Sequence, residues 1–239
     1  MIASKATWTT LCIGWTLAGA ALLAGCGSRT RLDVKDDSSS NVGARVLHRL
    51  GSGPGGGGLE FDYMNTRAQG GQQLGAFESA TLGSQSINGP VALRHTVRVQ
   101  SAQLVYNHLL FAGRTVEMEW FAGGAWVSTA WESLSANPAD PRLSKQTSWY
   151  GPAGGVLGRL LLAPSLALEL RFAAAIDLSS RRDAGERNAA ELVLAFKPVP
   201  TLTLRAGLAE TQANLKPELL STELSVRARG PFFNLGFEF

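Results

Sequence analysis

Residues 166–175 read LALELRFAAA, and this stretch decides the fold of the chain. Its even positions carry leucine or phenylalanine as far as Phe172, whereas Glu169 and Arg171 occupy odd positions between them. A helix would distribute these apolar side chains around its circumference, but a strand places all of them on one face. The stretch therefore predicts a β-strand with one apolar face and one face that carries charges.

The same alternation recurs from Leu59 to the last residue, Phe239. Three short connections and four longer polar ones separate the alternating segments, and 67–95 and 131–150 are the longest of the polar ones. An even number of strands, with short turns on one side and long loops on the other, is typical of barrels that cross an outer membrane. Both ends of such a barrel lie on the short-turn side. We predict eight strands, near 59–66, 96–111, 115–130, 151–162, 166–179, 189–197, 201–212 and 221–239.

The composition is compatible with a chain that hides its apolar residues in alternation. Apolar residues make up 45% and charged residues 17% of the 239 positions, and glycine is abundant at 27. Charged residues are about 25% of a typical soluble domain, so they are sparse here. The formal net charge of +3 is too weak to indicate a nucleic-acid partner.

A barrel explains why charges face away from the apolar side chains. A strand in lipid must leave no backbone group unpaired, so the sheet must close, and eight strands leave an interior that side chains can fill. Buried acids and bases are mixed and can pair, which predicts a plugged lumen and not an aqueous pore. The predicted lumen network consists of Glu117, Glu119, Arg159, Glu169, Arg171, Glu191 and Arg205. Glu60, Asp62, Glu223, Arg227 and Glu238 are also predicted to point inward.

The N-terminus carries a targeting segment. An uncharged apolar stretch runs over 6–25 and is followed by Cys26. Leu23-Ala24-Gly25-Cys26 resembles the lipobox of bacterial lipoproteins, which implies cleavage before Cys26, acylation of Cys26 by groups such as palmitate, and export to the outer membrane of a Gram-negative cell. An ordinary cleaved signal and an uncleaved helix are the alternatives, because the stretch is long enough to span a bilayer.

Three regions follow from these features: a lipoprotein signal peptide over 1–25, a flexible Gly/Ser-rich linker over 26–58, and a barrel over 59–239. The linker prediction depends on the serines at 38–40 and the glycine-rich run at 51–58, which offer little apolar material for packing. A short helix around 42–50 is a second interpretation. Cys12 would leave with the signal, so no thiol would remain for a disulfide or a metal site.

The last ten residues, GPFFNLGFEF at 230–239, look like the C-terminal assembly signal of outer-membrane proteins. The residues that match it are Phe233, Leu235, Phe237 and Phe239. The domain as a whole resembles the small eight-stranded barrels of the OmpA, OmpX and OmpW kind. That resemblance implies an all-β, antiparallel, up-and-down transmembrane barrel in the cell outer membrane. It also implies outer-membrane lipids, lipopolysaccharide and the barrel-assembly and lipoprotein-sorting machineries as partners.

The segment 96–111 departs from this pattern, because its alternation changes phase near Ser101. A residue inserted into one strand shifts the faces of all residues that follow it. The phase change therefore predicts a β-bulge or an additional hairpin near Ser101.

The sequence leaves three functions open. The first is a non-enzymatic outer-membrane barrel lipoprotein with a structural, interaction or adhesion role through its outer loops, whose partner the sequence does not identify. The second is a lipid-modifying enzyme that uses His95 or His108 as a base, although no serine lies at a matching spacing. The third is a narrow channel or a carrier of small apolar molecules. No cofactor or metal site is predicted.

Overall fold

The computed structural model describes residues 30–35, 38–50, 56–82, 84–178, 183–217 and 222–239. Within these residues, no helix has the length and apolar character needed to cross a membrane. Twelve strands account for nearly all of the described chain. They are β1 (Thr30–Lys35), β2 (Ser38–Arg49), β3 (Gly57–Leu74), β4 (Ser79–Leu82), β5 (Gln85–Asn88), β6 (Val91–Ala112), β7 (Val116–Ser135), β8 (Leu143–Ala163), β9 (Leu166–Ile176), β10 (Asp183–Val199), β11 (Leu202–Pro217) and β12 (Thr222–Glu238).

Nine of these strands close into a barrel, in the order β2, β3, β6, β7, β8, β9, β10, β11 and β12. Consecutive members pair antiparallel, whereas β12 closes the ring by pairing with β2 in parallel, for example Leu235 with Ala44. β1 runs alongside the first part of β12, also in parallel. The prediction of a closed all-β barrel is thus confirmed, and the prediction of eight strands is wrong.

The ninth strand comes from the segment that was predicted to be a linker. β2 pairs with β3 from Ser38–Gln69 to Arg49–Gly58, so neither a linker nor a helix describes residues 38–49. The segment does alternate, with Val42 and Ala44 outside and Arg45 buried inside. The serine and glycine runs on either side hide this short pattern in the sequence.

An odd number of strands places the two ends of the barrel at opposite rims. We call the rim that carries the turns 113–115, 164–165 and 200–201 the short-turn rim, and the opposite one the long-loop rim. β12 ends at the short-turn rim, whereas Thr30 pairs with Thr222 near the long-loop rim. The two ends predicted from the sequence, Leu59 and Phe239, do both lie at the short-turn rim, but the barrel begins one strand earlier, with the start of β2 toward the long-loop rim.

The strands are longer, and the loops shorter, than the sequence indicated. β3 continues to Leu74, β7 to Ser135, and β8 begins at Leu143, so much of 67–95 and 131–150 is strand. The remainder of the first loop contains the hairpin β4–β5, with Ala80 opposite Ile87. These strand extensions were predicted to be loops because the side chains on their outer face are polar.

The polarity of the two barrel faces inverts along its axis. In the half next to the short-turn rim, apolar side chains such as Phe61, Leu170 and Phe233 are exposed and charged ones are buried. In the half next to the long-loop rim, the outer face is polar and the lumen holds apolar residues such as Val97 and Val99. We call the exposed apolar belt of the first half the apolar band.

This inversion explains the phase change near Ser101. β6 pairs with β3 without a register shift from Val91 to His108, so the predicted bulge at Ser101 is wrong. The only irregularity in the pairing of β6 with β7 lies between Leu109 and Phe111. Inward residues of β6 are mostly apolar before Ser101 and mostly polar after it, with His95 and Val105 as exceptions, although the backbone continues unchanged.

The same inversion corrects one inward assignment. Arg227 faces outward, with 67% of its side chain exposed, and pairs with Glu210. The sequence assigns it to the lumen because it alternates with the apolar Val226 and Ala228, but the structure buries both of these in the lumen. The side chain of Glu223 lies outside the described part of the structure.

Candidate functional site

The lumen beside the apolar band is filled by ion pairs, and Glu169 lies at the centre of one group. Its Oε1 accepts a hydrogen bond from Arg159 Nε at 3.0 Å, and its Oε2 accepts one from Arg205 Nε at 2.8 Å. Arg159 Nη1 also donates to Glu119 Oε1 at 2.6 Å and to Glu117 Oε2 at 3.5 Å. The strands β7, β8, β9 and β11 thus supply five of the seven predicted network residues to one cluster.

A second group surrounds Arg45, which the sequence did not assign to the lumen. Arg45 Nε lies 3.4 Å from Asp62 Oδ1, and Arg45 Nη2 lies 3.2 Å from Glu191 Oε2. Arg171 Nη1 donates to Glu60 Oε1 at 2.6 Å. Each of these side chains is buried. The remaining two predicted network residues, Arg171 and Glu191, therefore also face the lumen, but in a different cluster from Glu169.

A third group lies at the short-turn rim. Glu238 accepts from Arg49 Nε at 2.7 Å and from Lys197 Nζ at 2.5 Å, and these side chains are partly exposed. Arg49 Nη1 lies 4.0 Å from Glu119 Oε1, which links this group to the first one. A cavity of about 280 Å³ opens beside them. Charged groups therefore continue from the buried lumen to its mouth.

Arg187 completes the charge balance of the lumen. It is buried, its Nη2 lies 3.7 Å from the Met64 sulfur, and no described carboxylate pairs with it. Cations and anions in the described lumen and its short-turn mouth are equal in number, so the ensemble is neutral. The cations are Arg45, Arg49, Arg159, Arg171, Arg187, Lys197 and Arg205, and the anions are Glu60, Asp62, Glu117, Glu119, Glu169, Glu191 and Glu238.

An apolar cluster closes the other half of the lumen. The hairpin β4–β5 inserts Ala80, Leu82 and Ile87, each no more than 2% exposed, into this cluster. Trp131 and Trp149 are buried in the same cluster. The described lumen is thus filled at two levels, by ion pairs beside the apolar band and by packed apolar side chains toward the long-loop rim.

The structure brings together a serine and a histidine that the sequence did not connect. His95 Nδ1 lies 2.7 Å from Ser133 Oγ, because His95 and Ser133 are direct partners on β6 and β7. Ser133 Oγ also accepts from Trp131 Nε1 at 2.8 Å, and His95 Nε2 has no partner among the described residues. Both His95 and Ser133 are fully buried, so a substrate cannot reach the hydroxyl in this conformation.

His108 has a different environment. It lies beside Tyr106 and Trp120, with ring centroids 6.5 Å and 5.9 Å away, in an aromatic group on β6 and β7. No hydroxyl or carboxylate of the described residues forms a hydrogen bond or ion pair with it. The geometry at His108 is therefore that of an aromatic contact and not of a catalytic base.

The residues of the predicted assembly signal form one face of β12. Phe233, Leu235, Phe237 and Phe239 are all exposed and belong to the apolar band. The backbone of Phe239 is tied to β2, since its carbonyl accepts from Arg49 N at 3.0 Å. Cys26, the predicted lipidation site, lies outside the described residues, as does the whole predicted signal peptide.

The lumen residues that the sequence did not assign include Arg45, Arg187 and Asn107. Arg45 lies in the short alternating segment 42–47, Arg187 lies in a stretch predicted to be a loop, and Asn107 is an uncharged partner of Glu60 at 2.8 Å. The segment 185–191 does place Arg187 and Glu191 on the same face, which is the signal that would have identified Arg187.

Among the described residues, no group of three or more histidine, cysteine, aspartate or glutamate side chains is arranged to hold a metal ion. Comparisons with protein families, with curated proteins and with solved structures find no match for this chain.

Proposed function

We propose that this protein is an integral outer-membrane β-barrel lipoprotein that has no pore and no enzymatic activity. Its role would be structural, or an interaction or adhesion role at the long-loop rim. The observation that carries the proposal is a closed barrel with an apolar band outside and a filled, charge-balanced lumen inside. This polarity is the reverse of a water-soluble barrel of the same size.

The dimensions of the apolar band support insertion in a bilayer. The band spans up to 11 residues along a strand, for example Leu166–Ile176 on β9, which is about ten residue-to-residue steps. At about 3.3 Å per residue and a tilt of about 40°, this corresponds to about 23–25 Å along the barrel axis, close to the apolar height of outer-membrane barrels. Water-soluble monomers rarely expose a contiguous apolar surface of more than a few hundred Å².

The position of the N-terminal strand constrains where a lipid on Cys26 would insert. Cys26 precedes Thr30 by four residues, which span at most about 14 Å when fully extended. Thr30 lies near the long-loop rim, because β1 pairs in parallel with the beginning of β12. A lipidated Cys26 would therefore lie on the side of the long-loop rim, and not at the opposite rim.

The proposed partners follow from the same arrangement. The exposed aromatic face of β12 is available to the barrel-assembly machinery before the barrel closes, and the lipobox would direct the chain to the lipoprotein-sorting machinery. Outer-membrane lipids and lipopolysaccharide would surround the apolar band. The long-loop rim, including the turn 136–142 and the exposed Phe77, would meet partners outside the cell.

Membrane fractionation tests the proposal directly. Cells that express the full chain with labelled palmitate should give a labelled band in the outer-membrane fraction, and its gel migration should change on boiling because folded barrels resist detergent. The variant Cys26→Ser should lose the label and keep the heat-dependent migration. Recovery of the folded protein from the soluble fraction without detergent would overturn the proposal.

Conductance measurements test whether the lumen is closed. Two filled levels separate the rims, and an ion would have to break several buried pairs to pass. We expect the purified protein to show no current steps in planar bilayers. Reproducible steps from the wild-type chain would favour the channel hypothesis.

The contact between His95 and Ser133 favours one second candidate, a lipid-modifying hydrolase. This function would require the hairpin β4–β5 to move out of the lumen, because both residues are buried beneath the long-loop rim. Wild-type protein and the variants His95→Ala and Ser133→Ala would be incubated with phospholipid, and the products measured by mass spectrometry. Product formation that both substitutions abolish would support the enzyme over the structural role.

A further inference from the structure

Two arginines face outward from neighbouring strands just beyond the apolar band. Arg67 on β3 and Arg98 on β6 are direct cross-strand partners, and both are exposed. Directly opposed side chains on one face have Cβ atoms about 5 Å apart, and like charges in this position destabilise the sheet. Neither guanidinium forms a hydrogen bond or an ion pair with another described residue. This pair, which we call the arginine pair, therefore has no counter-charge among the described residues.

Some other outward charges in the described chain have partners, whereas Arg94 on β6 has none among the described residues. Glu210 pairs with Arg227 at 2.7 Å, and Glu132 pairs with Arg142. Glu186 accepts a hydrogen bond from Asn214 at 2.5 Å. What distinguishes the arginine pair is that two arginines without a described partner lie directly opposite each other, on β3 and β6.

The depth of the arginine pair fits a lipid headgroup. Tyr63 marks the upper edge of the apolar band on β3, and its hydroxyl accepts from Gln100 Nε2 at 2.9 Å. Arg67 lies four residues further along the strand, about 10 Å along the axis for a tilt of about 40°. The headgroup layer extends about 5–8 Å beyond the hydrocarbon on each side, and a long arginine side chain can lean back into it.

We propose that Arg67 and Arg98 bind the phosphate of an anionic lipid in the leaflet next to the long-loop rim. Two adjacent guanidinium groups present paired N–H donors, which suit the oxygens of a phosphate. The proposal rests on the proposed membrane insertion, since the depth of the pair has meaning only relative to a bilayer. The phosphate removes the repulsion between the two arginines and holds one lipid against β3 and β6.

Native mass spectrometry of the full, detergent-solubilised chain measures this binding. Phosphatidylglycerol and phosphatidylcholine would be titrated separately, and the affinity of the first bound lipid compared. Wild-type protein should bind phosphatidylglycerol more tightly than phosphatidylcholine. The variants Arg67→Ala and Arg98→Ala should each weaken phosphatidylglycerol binding about fivefold and weaken phosphatidylcholine binding less, because the choline cation offsets the charge of its phosphate.

Arg94 provides a matched control on the same face of β6. It is exposed and lies four residues beyond Arg98, about 10 Å further from the apolar band. Arg94→Ala should change phosphatidylglycerol binding by less than twofold. The double variant Arg67→Lys/Arg98→Lys should retain much of the preference, and heat-dependent gel migration of every variant verifies its fold.

The outcomes separate this inference from the proposed function. Equal binding of the two lipids by wild type, or a preference that survives Arg67→Ala/Arg98→Ala, would overturn the inference while the protein still floats with vesicles. Displacement of phosphatidylglycerol by inorganic phosphate at equal concentration would assign the pair to a free anion and overturn the lipid assignment. A chain that fails to float with phosphatidylcholine vesicles would overturn the proposed function itself.

Discussion

Replacing Glu169 with glutamine tests whether the lumen network holds the barrel together. Glu169 is buried and bonds two guanidinium groups, one with each carboxylate oxygen. Arg159 would keep Glu119 as a partner, but Arg205 would keep only the Asn234 amide oxygen at 3.5 Å. Glu169→Gln therefore leaves one buried guanidinium without a counter-charge.

The magnitude follows from the two bonds. A hydrogen bond to a charged group contributes about 1.5–3 kcal/mol, so that two contribute about 3–6 kcal/mol. Removing one partner of a buried ion pair costs about 3–5 kcal/mol, which agrees with this range. We expect Glu169→Gln to lower the free energy of unfolding by about 3–5 kcal/mol.

Glu210 offers a matched control with the same side chain in the opposite environment. It pairs with Arg227 at 2.7 Å on the outer face, where Arg227 is 67% exposed. Surface pairs of this kind contribute about 0–1 kcal/mol, so Glu210→Gln should change the stability by no more than that.

Urea unfolding in phosphatidylcholine vesicles, followed by tryptophan fluorescence, measures both variants. The double variant Glu169→Gln/Arg205→Gln should recover part of the loss, because the anion and its cation leave together. If the losses in free energy of unfolding of Glu169→Gln and Glu210→Gln differ by less than about 1 kcal/mol, the lumen pairs are as well solvated as the surface pair. That result would contradict a filled lumen.

Three further predictions concern the apolar band, the parallel pairing of β12 with β2, and the N-terminal strand of the barrel. Leu170→Arg, in the middle of the apolar band, should lower the free energy of unfolding in vesicles by about 2–4 kcal/mol. The control Gln146→Arg, on the polar outer face, should lower it by about 0–1 kcal/mol. Equal losses of stability would contradict the proposal that the apolar band contacts lipid. In a chain without other cysteines, Ala44→Cys and Leu235→Cys should form a disulfide on oxidation, seen as altered migration of the denatured protein; an unlinked product would contradict the parallel closure. Ser40→Cys, which is exposed near the start of β2, should react with a membrane-impermeant maleimide in intact cells, and labelling only after permeabilisation would contradict the position of this part of β2 toward the long-loop rim.

The alternation of residues predicted more of the lumen than of the loops. Glu169 and Arg171 are separated by one residue and flanked by leucine, so the sequence alone assigns them to the face of a strand opposite its apolar side. It could not pair them, since Arg171 bonds Glu60 on β3 whereas Glu169 bonds Arg205 on β11. Which residues pair across the lumen depends on how the nine strands are arranged around it, and no local sequence pattern predicts that arrangement.

The strand that was missed shows a related limit. Residues 42–47 alternate for too few positions to stand out between a serine run and a glycine run. What makes them a strand is the presence of two edges, β3 on one side and β12 on the other, whose backbone groups would otherwise stay unpaired. The contact between His95 and Ser133 was missed for the same reason, because cross-strand register places residues 38 positions apart side by side.

By itself, the sequence determined that the chain forms strands with one apolar and one charged face, because side chains alternate strictly along an extended backbone. Period-two patterning cannot say which face is inside, and only the tertiary structure showed that the two faces exchange polarity halfway along the barrel. The tertiary structure also decided the number of strands, the parallel pairing of β12 with β2 and the placement of the two ends of the barrel at opposite rims. These features depend on which strand edges still lack a partner when the sheet closes, and this is determined by all the strands together and not by any single segment.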